Sequence, residues 1–368
     1  MRILSWLTRT IAAGLLVLEL SATLAYGQAV CDQQARFNRP ILLGTSGGNI
    51  KSFQRNKKKI YCFGGTLGSL VQDSAGQYIL SNNHVLARTN RAKAGESIVQ
   101  PGLIETQCKA VGGNRVATLS RTVKLTFSRV RQNTVDAAIA RISAGDVDAD
   151  IRNIGAIANS TAAAAPGLEV QKMGRTTCLT LGMVSAVAVN ATVGYDDFHP
   201  ERKHANFVNQ ILITGMNFSA AGDSGSLIVT QDPCPQAVGL LFAGSADGSS
   251  TLANPIGNVL RAFSVKMVGS CVAPAASASA ATELAQSGNV GVTSEAVASA
   301  AAIRTNRNAE LMRIPGAVGT GIAIGDRAGQ AAIEVYVTKL TPEIQAAAPT
   351  SLDGVTVRLI ETHGFVAY

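Results

Sequence analysis

Ser224 lies in the run Ala-Gly-Asp-Ser-Gly-Ser-Leu-Ile-Val-Thr (221–230), bracketed by Gly222 and Gly225 and followed by an apolar β-branched stretch. A serine hydroxyl becomes a nucleophile when a neighbouring base takes its proton, and its attack creates an oxyanion that needs hydrogen-bond donors. Glycines beside the serine let the backbone turn tightly, so that main-chain N–H groups can face that oxyanion. Gly-Asp-Ser-Gly is also ordinary turn chemistry, so the reading depends on a histidine and a carboxylate elsewhere. The chain has four histidines. His199 and His204 sit in a charged loop with Asp196, Asp197, Glu201, Arg202 and Lys203, and read as solvated; His363 follows a strand near the end of the sequence. His84 stands directly after the strand candidate Tyr-Ile-Leu-Ser (78–81). Asp136 has the apolar neighbours Val135, Ala137, Ala138, Ile139 and Ala140. A carboxylate carried into a core must be paired or hydrogen-bonded, and holding the Nδ1–H of a catalytic histidine would satisfy it.

The elements around these residues are short strands. In the first half, strands are predicted at Gly65–Val71, Gln77–Asn82, Ser97–Gln100, Val116–Arg121, Val123–Phe127 and Val135–Ile142, with Asp73, Ser74 and Gly76 as a turn. A second series runs through Leu168–Gly174, Met183–Val193, Phe207–Thr214, Ser226–Thr230, Ala237–Phe242 and Thr251–Ala253. A helix starting at Pro255-Ile256 follows, with Ile256, Val259, Leu260 and Phe263 as its apolar stripe. Near-absence of helical periodicity predicts an all-β barrel or sandwich in two halves. Residues 28–60 read as an N-terminal arm with one short strand near Ile41–Leu43. Residues 272–300 read as an Ala/Ser-rich linker and 301–368 as a small α/β module. In that module, strands are predicted at Ala317–Ile324, Ala332–Thr338 and Val355–Ile360, with a short helix from Pro342.

The order His84, Asp136, Ser224, with separations of 52 and 88 residues, matches the order and the roughly 45- and 93-residue separations of the chymotrypsin template. The sequence resembles the trypsin-like serine peptidases, and within them a bacterial branch related to the plant narrow-leaf protein. Six blocks in family order carry the resemblance: Gly-Thr-Leu-Gly-Ser-Leu-Val (65–71), Tyr-Ile-Leu-Ser-Asn-Asn-His-Val-Leu-Ala (78–87), Val-Asp-Ala-Ala-Ile-Ala (135–140), Gly-Arg-Thr-Thr (174–177), Gly-Asp-Ser-Gly-Ser-Leu-Ile-Val (222–229) and Val-Gly-Leu-Leu-Phe-Ala-Gly-Ser (238–245).

The resemblance implies two six-stranded antiparallel β-barrels, at about 61–145 and 166–271 within a peptidase domain of 61–271, with the active site between them. Ser224 matches the nucleophile, His84 the general base and then acid, and Asp136 the partner that orients the histidine. The N–H groups of Gly222 and Ser224 match the oxyanion hole, and Phe242, Ala243 and Gly244 the strand that pairs with substrate. Phe218 falls near the base of the specificity pocket. No acid stands there, so a preference for Lys or Arg is not expected. No Arg-Ile-Val-Gly-Gly-like activation site precedes the first barrel; Pro40-Ile41-Leu42-Leu43 is a poor substitute, so Asp223 need not wait for a freed N-terminus.

The resemblance implies protein or peptide substrates; composition by itself describes a globular chain. The chain has 368 residues with 46% hydrophobic and 15% charged residues, enough for a sizeable core. Its formal charge of +8 is spread along the chain, and the densest cluster, Arg55 to Lys59, reads as a solvated loop and not a nucleic-acid patch. Residues 1–27 resemble a secretory signal, with Arg2 and Arg9 flanking an apolar segment at Ile11–Leu18 and a cut expected near Gln28. The destination is then periplasmic or extracellular, with no membrane association after the signal is removed. Six cysteines in an exported chain favour disulfides, with fifteen possible connectivities. Cys234 and Cys271 bracket one apparent subdomain, and joining them would contribute about 4 kcal/mol if loop entropy alone decides.

No Cys/His spacing points to a metal. The alternation of Asp146, Asp148 and Asp150 lacks the glycine and closing glutamate of a calcium loop. Gly319, Gly321 and Gly325 do not have dinucleotide-site spacing, so no cofactor is expected. The alternatives to an endopeptidase are a binding or scaffold protein on a peptidase fold, and an esterase using the same triad. With a histidine base, turnover should rise with pH around ~7 as His84 loses its proton; a kcat/KM profile flat through that range would exclude His84 as the base.

Overall fold

The computed structural model describes residues 31–57, 59–128, 130–195, 203–245, 247–272 and 291–368. The expected signal segment, His199 and most of the Ala/Ser-rich stretch lie outside the described residues.

The first half closes into a barrel. Ser69–Asp73 and Gly76–Ser81 form a hairpin, whose turn is stapled by the Asp73 carboxylate accepting the N–H groups of Ala75 and Gly76 at 2.9 and 3.2 Å. Antiparallel pairing then continues from Gly76–Ser81 to Ala138–Ile142, Arg115–Thr122, Ser97–Val99, Thr45–Asn49 and Gly65–Leu67. Gly68 joins the last of these back to Ser69–Asp73, so the ring shuts with no open edge. Leu70, Ile79, Leu80, Ile98, Leu119 and Ile139, on its two faces, are buried in one apolar cluster.

Thr45–Asn49 belongs to the segment expected to be an arm, yet all five of its residues are buried. Its Thr-Ser-Gly-Gly-Asn sequence lacks strand alternation and reads as loop. The glycines serve close approach instead, because a methyl group on Gly47 would overlap the Leu67 side chain. A second departure is Val123–Phe127, which forms no strand. Side-chain amides take the place of a neighbouring strand there. Asn90 pairs with both main-chain groups of Leu125 at 2.8 and 2.9 Å, and Asn133 does the same for Thr126.

The second barrel is a ring of Glu169–Gly174, Cys178–Tyr195, Lys203–Thr214, Ser250–Pro255, Ala237–Ser245 and Leu227–Thr230, the last pairing back to the first. The helix Ile256–Phe263 follows, burying Ile256, Val259 and Phe263 as its stripe requires. The fold is therefore all-β in its main body, with two six-stranded antiparallel barrels.

The last part of the chain is not a separate bead. Ala317–Ile324 pairs antiparallel with the middle of Cys178–Tyr195, and Ala331–Val337 and Val355–Glu361 extend that sheet outward. The helix Ser294–Leu311 begins inside the segment expected to be a linker, capped by the Thr293 hydroxyl accepting from Ala296 N at 3.1 Å. Its stripe is weak because only Ala300, Arg304 and Leu311 are buried, so its pattern is compositional and not amphipathic. Arg304 crosses to the barrel, donating to the Ala188 carbonyl at 2.9 Å. From Cys31 to Tyr368 the chain forms one unit.

Three disulfides join Cys31–Cys178, Cys62–Cys108 and Cys234–Cys271, with Cα separations of 5.7, 5.4 and 5.8 Å.

The barrels meet at Gly68. A methyl group there would land on the carbonyl oxygen of Gly225 and lie 3.1 Å from that of Leu80. Gly68→Ala is expected to lower stability by about 1–3 kcal/mol, read as a lower urea midpoint at unchanged slope.

Candidate active site

His84 sits in the first turn after the strand Gly76–Ser81, in the short helix Asn83–Leu86. The asparagines before it tie that turn down. Asn82 donates to the Asp136 carbonyl at 2.7 Å, and Asn83 donates to Thr122 Oγ1 and Val123 O at 2.8 and 2.6 Å. Asp136 precedes the strand Ala138–Ile142 and is fully buried. Its carboxylate accepts three hydrogen bonds: His84 Nδ1 to Oδ2 at 2.6 Å, His84 N to Oδ1 at 3.2 Å, and the Tyr195 hydroxyl to Oδ2 at 2.8 Å. Its main-chain N–H donates to Asn254 Oδ1 at 3.0 Å, and the Asn254 amide donates to Gln210 Oε1 at 2.6 Å. The aspartate thus holds the imidazole tautomer, and residues from the second barrel hold the aspartate.

Ser224 is buried at the start of the second barrel's strand Leu227–Thr230, and its hydroxyl donates to the Phe242 carbonyl at 3.2 Å. Its loop is docked onto the first barrel. Thr66 N donates to Ser224 O at 2.8 Å, and Thr66 Oγ1 to Gly222 O at 3.0 Å. At Gly65 a side chain would meet both Val85, the neighbour of His84, at 2.6 Å and Ser224 O at 2.9 Å. The absence of a Cβ there lets the serine loop and the histidine turn close on one another. Gly222 has φ +101°, a conformation that disfavours side chains. The Asp223 N–H is bonded within the loop to Ala220 O, and the Gly225 N–H to Leu241 O of the strand Ala237–Ser245.

Asp223 is held by a partner that the sequence reading missed. Its carboxylate accepts Thr176 N at 2.7 Å, Thr177 Oγ1 at 2.7 Å and Ala220 N at 3.0 Å, and it lies 3.4 Å from Lys172 Nζ. Lys172 and Asp223 are both fully buried. Lys172 also donates to Thr177 Oγ1 and, at 3.0 Å, to the Cys178 carbonyl. Burial pushes its ammonium below the usual lysine range, while Asp223 pulls in the opposite direction. A lysine inside Glu169–Gly174, between Gln171 and Met173, was the available signal. Its partner lies 51 residues away in sequence and on a different element.

The substrate-strand candidates line up along one edge. Phe242, Ala243 and Gly244 form part of the strand Ala237–Ser245. The chain's own last residues lie against them. Phe365–Ala367 is a short strand whose antiparallel register pairs Ala243 with Ala367, Gly244 with Val366 and Ser245 with Phe365. Tyr368 follows, its main-chain oxygen 2.9 Å from His84 Nε2 and its hydroxyl donating to Ser245 O at 3.0 Å. Phe218 is buried in an apolar cluster with Val170, Val184 and Ile213, against which Tyr368 packs. His84, Tyr195, Gly222, Ala367 and Tyr368 border a cavity of about 240 Å³, which continues past Phe63 and Ile104. His204 is exposed on the strand Lys203–Thr214, opposite Gly194, and His363 lies 3.2 Å from Asp247.

No protein-family model matches the chain, and no curated protein matches it. Among solved structures, the chain is similar to a glutamic-acid-specific serine protease, at 23% identity and TM-score 0.43 over 62% of this chain and 100% of the other. It is similar to Thermobifida fusca Protease A at 18% identity and TM-score 0.42, over 62% of this chain and 99% of the other. It is similar to Nocardiopsis protease at 16% identity and TM-score 0.42, over 62% and 98%.

Two variants probe the supports of this site. Lys172→Met leaves the Asp223 carboxylate buried without its cation, so unfolding free energy should fall by about 3–5 kcal/mol, visible as a lower denaturant midpoint. Tyr195→Phe removes one hydrogen bond to a buried carboxylate and should cost about 1.5–3 kcal/mol, measured the same way. A Lys172→Met protein as stable as the parent would show that the threonine and main-chain donors suffice alone.

Proposed function

We propose that this chain is an exported serine endopeptidase that cleaves peptide bonds through an acyl-enzyme. The observation that carries the reading is a buried Asp136 gripping His84 Nδ1 while His84 Nε2 faces a main-chain carbonyl oxygen. That carbonyl belongs to a peptide lying antiparallel on Ala243 and Gly244. With Nδ1–H held by Asp136, Nε2 is the proton-accepting nitrogen, and it opens onto the groove where that peptide lies.

In this reading Ser224 Oγ attacks the carbonyl carbon and its proton passes to His84 Nε2. Asp136 keeps the imidazole oriented and stabilises the imidazolium without itself taking the proton. The N–H groups of Gly222 and Ser224 hold the oxyanion, helped by the positive-φ backbone at Gly222 and the Thr66 bond to Gly222 O. Collapse of the tetrahedral adduct breaks the C–N bond, and His84 gives its proton to the leaving amine. Water then repeats the sequence on the acyl ester, restoring Ser224.

The Lys172–Asp223 pair supports a loop that is ready without proteolytic release of an N-terminus. Three disulfides support an oxidising, exported setting. The six sequence blocks support the branch related to the narrow-leaf protein.

A fluorophosphonate incubated with the folded protein for several hours should add covalently to Ser224, as located by peptide mapping. Ser224→Ala should abolish that adduct and lower casein turnover by about a million-fold. A Ser224→Ala preparation free of contaminants that still cleaves casein at the parent rate would overturn the proposal.

A further inference from the structure

The residues that end this sequence occupy the cleft in the manner of a substrate. Thr362 N is bonded to Val337 O at 2.9 Å, so the chain is still anchored to the outer sheet at that point. His363 and Gly364 then take φ values of +54° and +80°. These two left-handed residues turn the backbone off the outer sheet and into the cleft. The next three residues form a strand on Ala243–Ser245, and Phe365 and Val366 pair in parallel with Val193 and Gly194 on the other side. Alternation along an extended chain sends successive side chains to opposite faces. Phe365 is buried edge-on against Tyr336 with ring centroids 6.0 Å apart. Tyr368, after Ala367, directs its ring over Gly244.

Gly244 is what admits that ring. A methyl group there would overlap the Tyr368 hydroxyl and lie 2.7 Å from the ring carbon Cε2. The phenol reaches the Ser245 carbonyl, and the Ser219 hydroxyl is a further partner. With Phe218 buried in the apolar cluster beneath, these groups make a slot for an aromatic ring with a polar far end. The main-chain oxygen that faces His84 belongs to the same tyrosine. The residue in the pocket is thus also the one that reaches His84, at the end of a strand in register with Ala243–Ser245, the place of a substrate's attacked residue. Phe63 and Ile104 line the same cavity as Tyr368, and Phe365–Tyr368 lies on the acyl side of the cleft.

We propose that Phe365–Tyr368 is an intramolecular pseudosubstrate filling the acyl-side subsites, and that its sequence reports the substrate class: a large aromatic residue, tyrosine foremost, at the attacked carbonyl, with a small residue before it. The proposal rests on the peptidase reading for its catalytic consequence and on tail geometry alone for its binding consequence. The module at 291–362 supplies the restraint. Its sheet is continuous with the barrel strand Cys178–Tyr195, so the tail competes at the high effective concentration of a tethered ligand.

The test compares the full chain with Tyr368→Ala and with a chain ending at Gly364. Substrates are peptide p-nitroanilides ending in Ala-Tyr, Ala-Phe or Ala-Lys. Both tail variants should cleave the Ala-Tyr substrate at least about tenfold faster than the full chain, with tyrosine preferred about tenfold over phenylalanine and at least about a hundredfold over lysine. Acetyl-Phe-Val-Ala-Tyr should inhibit the shortened chain competitively, and Gly244→Val in that chain should remove both inhibition and tyrosine cleavage. Where the proteins turn over substrate, equal rates in all three, or a preference for lysine, overturn the proposal.

Fluorescence anisotropy of dansyl-Phe-Val-Ala-Tyr on the shortened chain carrying Ser224→Ala reads occupancy without chemistry. Binding there, with no fluorophosphonate adduct in any serine-containing form, retains the pseudosubstrate and rejects the peptidase reading. Adducts without binding reject the pseudosubstrate and retain the peptidase. Where the shortened chain does not fold, the same peptide is titrated against the full chain carrying Tyr368→Ala and Ser224→Ala, with the same two outcomes.

Discussion

The alignment of the cleft depends on one buried carboxylate. Asp136 belongs to the first barrel, as does His84, but Tyr195 and Asn254, which also bind it, come from the second. A charge without solvent is tolerated only when its lone pairs are filled, and filling them needs both barrels in register. The same bonds that make the burial affordable therefore set the position of the imidazole relative to the serine loop. Thr66, Gly65 and Gly68 complete this alignment from the opposite side, by hydrogen bonding to that loop or by leaving room for it.

A second buried charge governs the loop itself. Asp223 adjoins Ser224, and its carboxylate is directed into the second barrel toward Lys172 and the threonines at 176 and 177. A lysine on a barrel strand is present as soon as the barrel forms. The loop conformation is thereby coupled to folding, in keeping with the poor match of Pro40-Ile41-Leu42-Leu43 to an activation site.

Much of this was legible in the sequence. Strand patterning located most staves of both barrels and the helix after Pro255, because alternating burial and β-branched residues leave a local trace. The cysteine count favoured disulfides but left their pairing open, and the fold joins Cys234 to Cys271. Thr45–Asn49 was not legible, since its glycines serve contact with Leu67 and carry no alternation. Nor was the helix Ser294–Leu311, whose buried residues are one alanine, one arginine and a terminal leucine. At the candidate site, residue type and neighbours singled out His84, Asp136 and Ser224, whereas the edge Ala243–Gly244 was singled out only through the family resemblance. Tyr195, Asn254 and Lys172 were not, because each looks ordinary in its own segment.

The sequence by itself determined the chemical inventory and its order: a histidine after a strand, an aspartate among apolar residues, and a serine between glycines. Those are local properties, readable from composition and spacing. Only the tertiary structure decided what holds them and what lies across them. Tyr195 reaches Asp136 over 59 residues, Asn254 over 118, and Tyr368 reaches His84 over 284. Contacts at such separations are set by barrel closure and by the sheet that extends the second barrel. No periodicity in the sequence encodes them.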